Sequence, residues 1–317
     1  MGSKYFDLKV GFSCNNYCVH CVITDKKETE DLSTEKIKEI IDTLDEDYIV
    51  GFTGGEATIR SDFIEIAKYA KNTGHDVYLQ TNGTMFYDDN FTKELVGVLD
   101  NVLIAIHSHI PEIHNKIVDC PDKLNMYERT VDGFKNLIKY DFSVVTQTVI
   151  SNYNIKDLPE TYDFIQGIAP GIYMNLTYPH PNGNAFHNAK DILPRYSDIK
   201  EYIHKILDNY APFINTEAIP ICYLYPYHEN VNYNVDQEII NPDHMMRSGL
   251  DPANASDTNT LFDDTGRIED YRSADLTEKR KGPLCRQCVF NSRCAGVWKE
   301  YVHFFKDRFD LFPIREE

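Results

Sequence analysis

Six times before residue 211, the chain pairs a short apolar segment with a longer one whose apolar residues recur at helical spacing. Phe6, Leu8 and Val10 alternate with more polar residues and read as a first strand. Tyr48–Phe52, Val77–Leu79, Val102–Ile106, Ser143–Ile150 and Ile172–Tyr178 read as the next five. Between them, Ser33 reads as a helix N-cap, with Leu32 stapled onto Ile37 and Ile37, Ile40, Ile41 and Leu44 on one apolar face. Ser61 reads as the cap of a second helix that turns Phe63, Ile66, Ala67 and Ala70 inward and closes near Gly74. Further helical faces lie at 91–99, from Met126 to Tyr140, at Thr161–Ile165 and from Ile199 to Leu207. Such alternation predicts a parallel sheet with right-handed crossovers. Six units are fewer than a closed eight-stranded barrel needs, and ligands of such sheets bind at the carboxyl ends of the strands.

The first strand ends at Cys14, Cys18 and Cys21, spaced C-x3-C-x2-C. A loop this tight can turn three thiolates toward one point, and cysteine thiolates hold iron–sulfur clusters. Three ligands on a four-iron cluster leave one iron open to another ligand. A zinc site or buried free cysteines are the alternatives, although zinc usually takes four ligands in C-x2-C pairs. The second strand leads at once into Thr53-Gly54-Gly55-Glu56. Glycines there allow close backbone approach, and the carboxylate can pair with an ammonium group. Standing alone, the same triplet is a turn followed by a surface acid.

Seven of the eight cysteines fall into two groups, the second being Cys222, Cys285, Cys288 and Cys294, while Cys120 stands apart. In a 317-residue chain without a secretory signal, such clustering points to metal rather than disulfides. The formal net charge of −18 repels phosphate backbones, so no nucleic-acid partner is expected, whereas a basic peptide would be steered inward. No apolar run approaches membrane-spanning length, so the expected location is the cytoplasm, without a membrane partner. From about residue 212 the alternation stops, and residues 223–283 are rich in Tyr, Asn and Asp. The expected division is residues 1–211 and 212–317.

The cysteine spacing, the strand and the Gly-Gly-Glu together resemble the radical S-adenosylmethionine (SAM) superfamily. The resemblance implies an α/β fold, a partial (β/α)6 radical SAM barrel with a small C-terminal iron–sulfur module. It implies that Cys14, Cys18 and Cys21 hold a [4Fe-4S] cluster and that SAM chelates the fourth iron. It places Gly54, Gly55 and Glu56 at the SAM amino group and His20 near the adenine. Asn82, Ser108 and Gln147, at or near strand ends, become candidates for the ribose and carboxylate. Turn chemistry at Asn82-Gly83, and ordinary satisfied polar groups at the other two, are the competing readings.

Cys285-x2-Cys288-x5-Cys294 is similar to the core of SPASM and twitch modules, which carry auxiliary iron–sulfur clusters. Trp298 stands where a SPASM module continues with another cysteine, and the upstream pair is reduced to Cys222. The count allows one auxiliary cluster, closer to a twitch module, with Cys222 as fourth ligand; zinc is the alternative. If Cys222 is instead free, it or Cys120 is a candidate hydrogen-atom donor. The resemblance implies reductive cleavage of SAM, a reductant such as flavodoxin or ferredoxin, and modification of a ribosomally made peptide by cross-linking, epimerisation or thioether formation. Against a peptide, the chain begins directly at the first strand and leaves no room for a leader-recognition domain. A small-molecule dehydrogenase acting on a sugar or alcohol is the second reading, and an iron–sulfur electron carrier the third. His107, His109 and His114 crowd the end of the fourth strand, as substrate contacts, surface residues or a zinc site short of one ligand. Tyr178-Pro179-His180-Pro181-Asn182-Gly183-Asn184 makes a rigid turn after the sixth, with His180 and Asn184 as substrate-contact candidates.

Overall fold

The computed structural model describes residues 4–24, 30–120, 124–229, 232–233, 260–262, 268–270, 279–306 and 311–315. Most of the Tyr-, Asn- and Asp-rich stretch 223–283 lies outside them. Strands β1 (Lys4–Lys9), β2 (Tyr48–Thr53), β3 (Val77–Thr81), β4 (Asn101–Ala105), β5 (Val144–Val149) and β6 (Tyr173–Thr177) pair in chain order, all parallel. The sheet does not end there. Strand β7 (Ile214–Glu217) adds to β6, and a two-residue β8 (Asn232–Tyr233) adds to β7. The alternation thus runs one strand past residue 212, where it was expected to stop. Ile214-Asn215-Thr216-Glu217 is too short and too polar to announce itself as a strand.

The connecting helices are α1 (Thr34–Ile41), α2 (Phe63–Asn72), α3 (Asp89–Glu94), α4 (Pro111–Val118), α5 (Met126–Lys139), α6 (Leu158–Ile168), α7 (Gly183–His187), α8 (Ala189–Ile192) and α9 (Tyr196–Tyr210). Ser33 caps α1 as expected, its hydroxyl accepting from Lys36 N–H at 3.1 Å. Asp62, not Ser61, precedes α2, and its carboxylate does not cap. It is drawn instead to Arg60 at 2.7 and 2.9 Å and to the Thr34 hydroxyl. Hydrogen bonding from Arg60 holds that carboxyl below its usual range.

Period-two alternation gives the strands two different faces. Leu8, Val50, Phe52, Leu79, Val102, Ile104, Met174, Leu176 and Ile214 are buried with Ile37, Ile41, Phe63, Phe134 and Ile203 of the helices. The opposite face carries partly exposed polar residues, among them Asp7, Tyr78, Gln147, Asn175 and Asn215. At the C-terminus, Lys279–Arg280 pairs antiparallel with Val297–Trp298, followed by a helix over Lys299–Phe305. Its Tyr301 packs into the barrel side, 4.7 Å ring to ring from Tyr196, which stacks on Tyr178 at 4.3 Å.

Candidate functional site

The cysteine loop is held by the protein's own amides. Tyr17 N–H donates to Val118 O at 3.0 Å and Val19 N–H to Ile117 O at 2.9 Å. From the turn after β6, Asn184 N–H donates to Cys21 O at 2.8 Å, and the Asn184 side-chain amide to Cys18 O at 2.9 Å. Asn188 does the same for Val19 O at 3.0 Å. Asn184, expected to meet substrate, is therefore a brace for the loop. Gly183 makes the approach possible: a Cβ there would stand 2.6 Å from Cys21 O. Cys14, Cys18 and Cys21 are half-buried, and Asn16 N–H points at the Cys14 sulfur at 3.4 Å, a contact that favours a thiolate.

Gly54 and Gly55 lie against the stretch between β1 and the cysteines. Gly55 N–H donates to Gly11 O and Glu56 N–H to Ser13 O, both at 2.9 Å. The close approach that requires glycine is thus to the protein's own backbone. Glu56 is buried, and its carboxylate joins the ends of β2 and β3. Oε1 accepts from Thr58 N–H at 3.2 Å, from the Thr58 hydroxyl and from the Thr81 hydroxyl at 2.8 Å, while Oε2 accepts from Asn82 N–H at 2.6 Å. Burial raises its pKa, and the four hydrogen bonds oppose that shift. Oε2 keeps a second lone-pair site.

Asn82 reaches back to the cysteine loop, its amide donating to Asn15 Oδ1 at 2.7 Å; its Oδ1 accepts from Thr84 N–H at 3.0 Å. Ser108 is fully buried, its hydroxyl accepting from Ile110 N–H at 3.0 Å in a local turn. Gln147 lies on the open face of β5 and donates to the Thr177 hydroxyl at 3.1 Å. Asn15 and Thr81 were not singled out in the sequence. Their signal was placement alone, one inside the cysteine loop and one beside Asn82.

The histidines regroup. His20 meets His107 edge to face at 4.7 Å, and His107 stacks on His114 at 5.8 Å, whereas His109 turns away to Thr161, 3.0 Å from its hydroxyl. His107 and His114 are buried, not surface residues. His107 Nδ1 accepts from Val149 N–H and His114 Nδ1 from His107 N–H, both at 3.4 Å, which puts the neutral proton of each on Nε2. Burial lowers His20 and His114 to about 4, and His107 well below its ordinary value. A base whose folded pKa is depressed makes the unfolded chain bind more protons, so stability falls as pH drops from 6.5 toward 4. For His114 alone the loss is on the order of 3 kcal/mol. His114→Phe is expected to flatten urea midpoints over that interval, whatever its cost at pH 7. An unchanged slope contradicts the assignment.

His180 stacks on Trp298 at 4.0 Å and 9°, with Lys279 Nζ 4.7 Å from the indole centroid. Burial, then Lys279 and Lys299, lower its pKa to about 3. Cys222, Cys285, Cys288 and Cys294 line one small cavity, with Phe290 and Phe312 among the other walls. Ile314 N–H points at the Cys288 sulfur at 3.4 Å. Burial pushes the Cys222 thiol up to about 12. Among the described residues, no three His, Cys, Asp or Glu side chains converge as one metal ion requires. Cys120 is buried with Val118 and Met126 in a small cluster against which Cys18 packs.

Residues 8–165 match the family model of the radical SAM superfamily. The chain belongs to that superfamily. Membership implies SAM and a [4Fe-4S] cluster, and the three half-buried cysteines and the N–H directed at Cys14 fit that cluster. The chain is 29% identical over 164 residues to "AdoMet-dependent heme synthase" of Methanosarcina barkeri, covering 50% of this chain and 46% of that one. It is 30% identical over 186 residues to "Mycofactocin maturase MftC" of Mycolicibacterium smegmatis, covering 58% and 46%. The chain thus spans less than half the length of these relatives. A solved structure, "Native anSMEcpe with bound AdoMet and Cp18Cys peptide", shares the fold with a TM-score of 0.63 at 13% identity, over 93% of this chain and 89% of that one. No described helix is long and apolar enough to cross a membrane.

Proposed function

We propose that this chain is a radical SAM enzyme that modifies a ribosomally made peptide, with residues 1–211 as the SAM barrel and 212–317 as an auxiliary iron–sulfur module whose strands β7 and β8 extend the sheet. The observation that carries the module is the cavity shared by Cys222, Cys285, Cys288 and Cys294. Support for a peptide comes from the bound peptide of the anSMEcpe structure. When bound and reduced, the first cluster supplies the electron that splits SAM into methionine and a hydrogen-abstracting 5'-deoxyadenosyl radical. The chain's own part is placement. Asn184 and Asn188 fix the carbonyls of the cysteine loop. Glu56 Oε2, with a lone-pair site left over, is the partner proposed for the SAM ammonium, and His20, next to Cys21 in the chain, the one proposed for the adenine. The electron comes from a one-electron donor of the flavodoxin or ferredoxin class in the cytoplasm. A small-molecule substrate is the second reading, favoured by the heme synthase relative.

Two measurements test this. Anaerobically reconstituted protein is expected to hold about eight iron atoms per chain, and the Cys285→Ala, Cys288→Ala, Cys294→Ala variant about half. Unchanged iron in that variant, with zinc in the parent, removes the auxiliary cluster. Incubation with SAM, reductant and precursor peptides encoded near the gene is expected to shift a peptide's mass. Turnover of small molecules alone favours the second reading.

A further inference from the structure

Cys14 is bracketed by two connections that lead to one residue. On its N-terminal side, Ser13 O accepts from Glu56 N–H at 2.9 Å. On its C-terminal side, the Asn15 side chain belongs to a closed circuit of hydrogen bonds. Asn15 Nδ2 donates to the Thr84 hydroxyl at 2.8 Å, the Thr84 hydroxyl to Asn82 Oδ1 at 2.7 Å, and Asn82 Nδ2 to Asn15 Oδ1 at 2.7 Å. One backbone group fixes the direction of all three. Thr84 N–H can only donate, and it meets Asn82 at 3.0 Å, so the oxygen of that amide faces Thr84 and its nitrogen faces Asn15. Each side chain then donates once and accepts once around the circuit, an arrangement in which hydrogen bonds strengthen one another.

The circuit hangs from a fixed hub. Asn82 N–H donates to Glu56 Oε2 at 2.6 Å, and Asn82 O accepts from the Thr130 hydroxyl of α5 at 3.0 Å. Asn82 is thus held at both ends of its backbone, and its side chain carries that position to the residue next to Cys14. Thr84 is fully buried, so no water substitutes for its hydroxyl. The Asn184 and Asn188 amides hold the far part of the cysteine loop, at Cys18, Val19 and Cys21. Asn15 holds the near part. A molecule bound at the cysteine loop and at Glu56 together is sensitive to the gap between them, since a misplacement of about 1 Å can cost on the order of 100-fold in rate.

We propose that Asn15 and Thr84 are positioning residues for SAM: their circuit with Asn82 holds Cys14 in place against the end of β3 and sets its gap to Glu56. This rests on the reading of Glu56 as the partner of the SAM ammonium. The test is calorimetry of SAM binding to the anaerobically reconstituted protein, with iron count and urea midpoint measured on every variant. Asn15→Ala and Thr84→Val each open the circuit, and each is expected to weaken SAM binding about tenfold, as outer-shell partners do at metal sites, with the iron count unchanged. Asn15 is partly exposed, so Asn15→Ala reads the circuit even if the buried Thr84→Val loses stability. The double variant is expected to lose no more than either single one, because both break the same circuit. Thr84→Ser keeps the hydroxyl and is expected to bind SAM like the parent. Unchanged affinity in both single variants overturns the proposal. So does a loss of about 100-fold in the double variant, which marks two independent effects, or a tenfold loss in Thr84→Ser, which assigns the effect to packing of the methyl group. Glu56→Gln keeps the two readings apart. Affinity lost there but unchanged in the circuit variants keeps Glu56 and overturns the circuit. Affinity unchanged there but lost in the circuit variants removes Glu56 from the ammonium and leaves the circuit positioning SAM through Cys14.

Discussion

Replacing Cys18 by alanine is expected to abolish formation of 5'-deoxyadenosine from SAM under strong reductant. Two remaining thiolates cannot hold a four-iron cluster, so the loss should exceed the roughly 100-fold that an outer-shell partner costs at a metal site. The backbone should survive the change. Cys18 O is held by the Asn184 amide and Cys21 O by Asn184 N–H, and neither bond uses the sulfur. Iron should fall by about half, the C-terminal cysteines keeping theirs. One thiol stands near enough to complicate the result. Cys120 is 5% exposed in the small cluster that Cys18 packs against. Residual activity in Cys18→Ala that disappears in Cys18→Ala, Cys120→Ala identifies Cys120 as a substitute ligand. Full activity in the double variant removes Cys18 from the cluster. Adenosylhomocysteine as the sole SAM product of the parent points to methyl transfer.

What the sequence made legible follows from how local each signal was. The strands β1 to β6 announced themselves because one face is buried under helices and repeats apolar residues at period two. The cysteine loop was legible because its ligands lie within eight consecutive residues. Residues whose roles depend on distant partners were not. Asn184 lies 166 positions from the Cys18 carbonyl that it holds, and nothing around it distinguishes a brace from a substrate contact. His107, His109 and His114 looked like one group along the chain. The end of β4 turns His109 toward Thr161 on α6, while His20 arrives from the cysteine loop to take its place. Strand β7 was hidden by its polar alternate residues. Asn215 and Glu217 face the barrel interior, so the segment lacks the apolar run by which a strand is read.

The second large effect is expected from a single methyl group. Gly55→Ala should destabilise the protein by about 3 kcal/mol or more and remove measurable SAM binding, because its Cβ has nowhere to go. It would stand 2.1 Å from Ser13 O and 2.6 Å from Phe12 O. Both obstacles are backbone, so no side-chain rotation relieves them. The strand end must move away from the cysteine loop, and the bonds Gly55 N–H to Gly11 O and Glu56 N–H to Ser13 O go with it. Asp31 resists compensation from the other side, since its carboxylate accepts from Phe12 N–H at 2.8 Å and Ser13 N–H at 3.2 Å. Displacing residue 55 also drags Glu56, whose carboxylate ties β2 to Thr81 and Asn82. The variant thus separates two roles for these glycines. If they serve mainly to let SAM approach, Gly55→Ala keeps its urea midpoint and loses only SAM affinity. If they serve mainly to let two protein segments meet, both fall together and the iron held by the first cysteines becomes labile to chelator. The distances favour the second outcome, and a wild-type midpoint in the variant would falsify it.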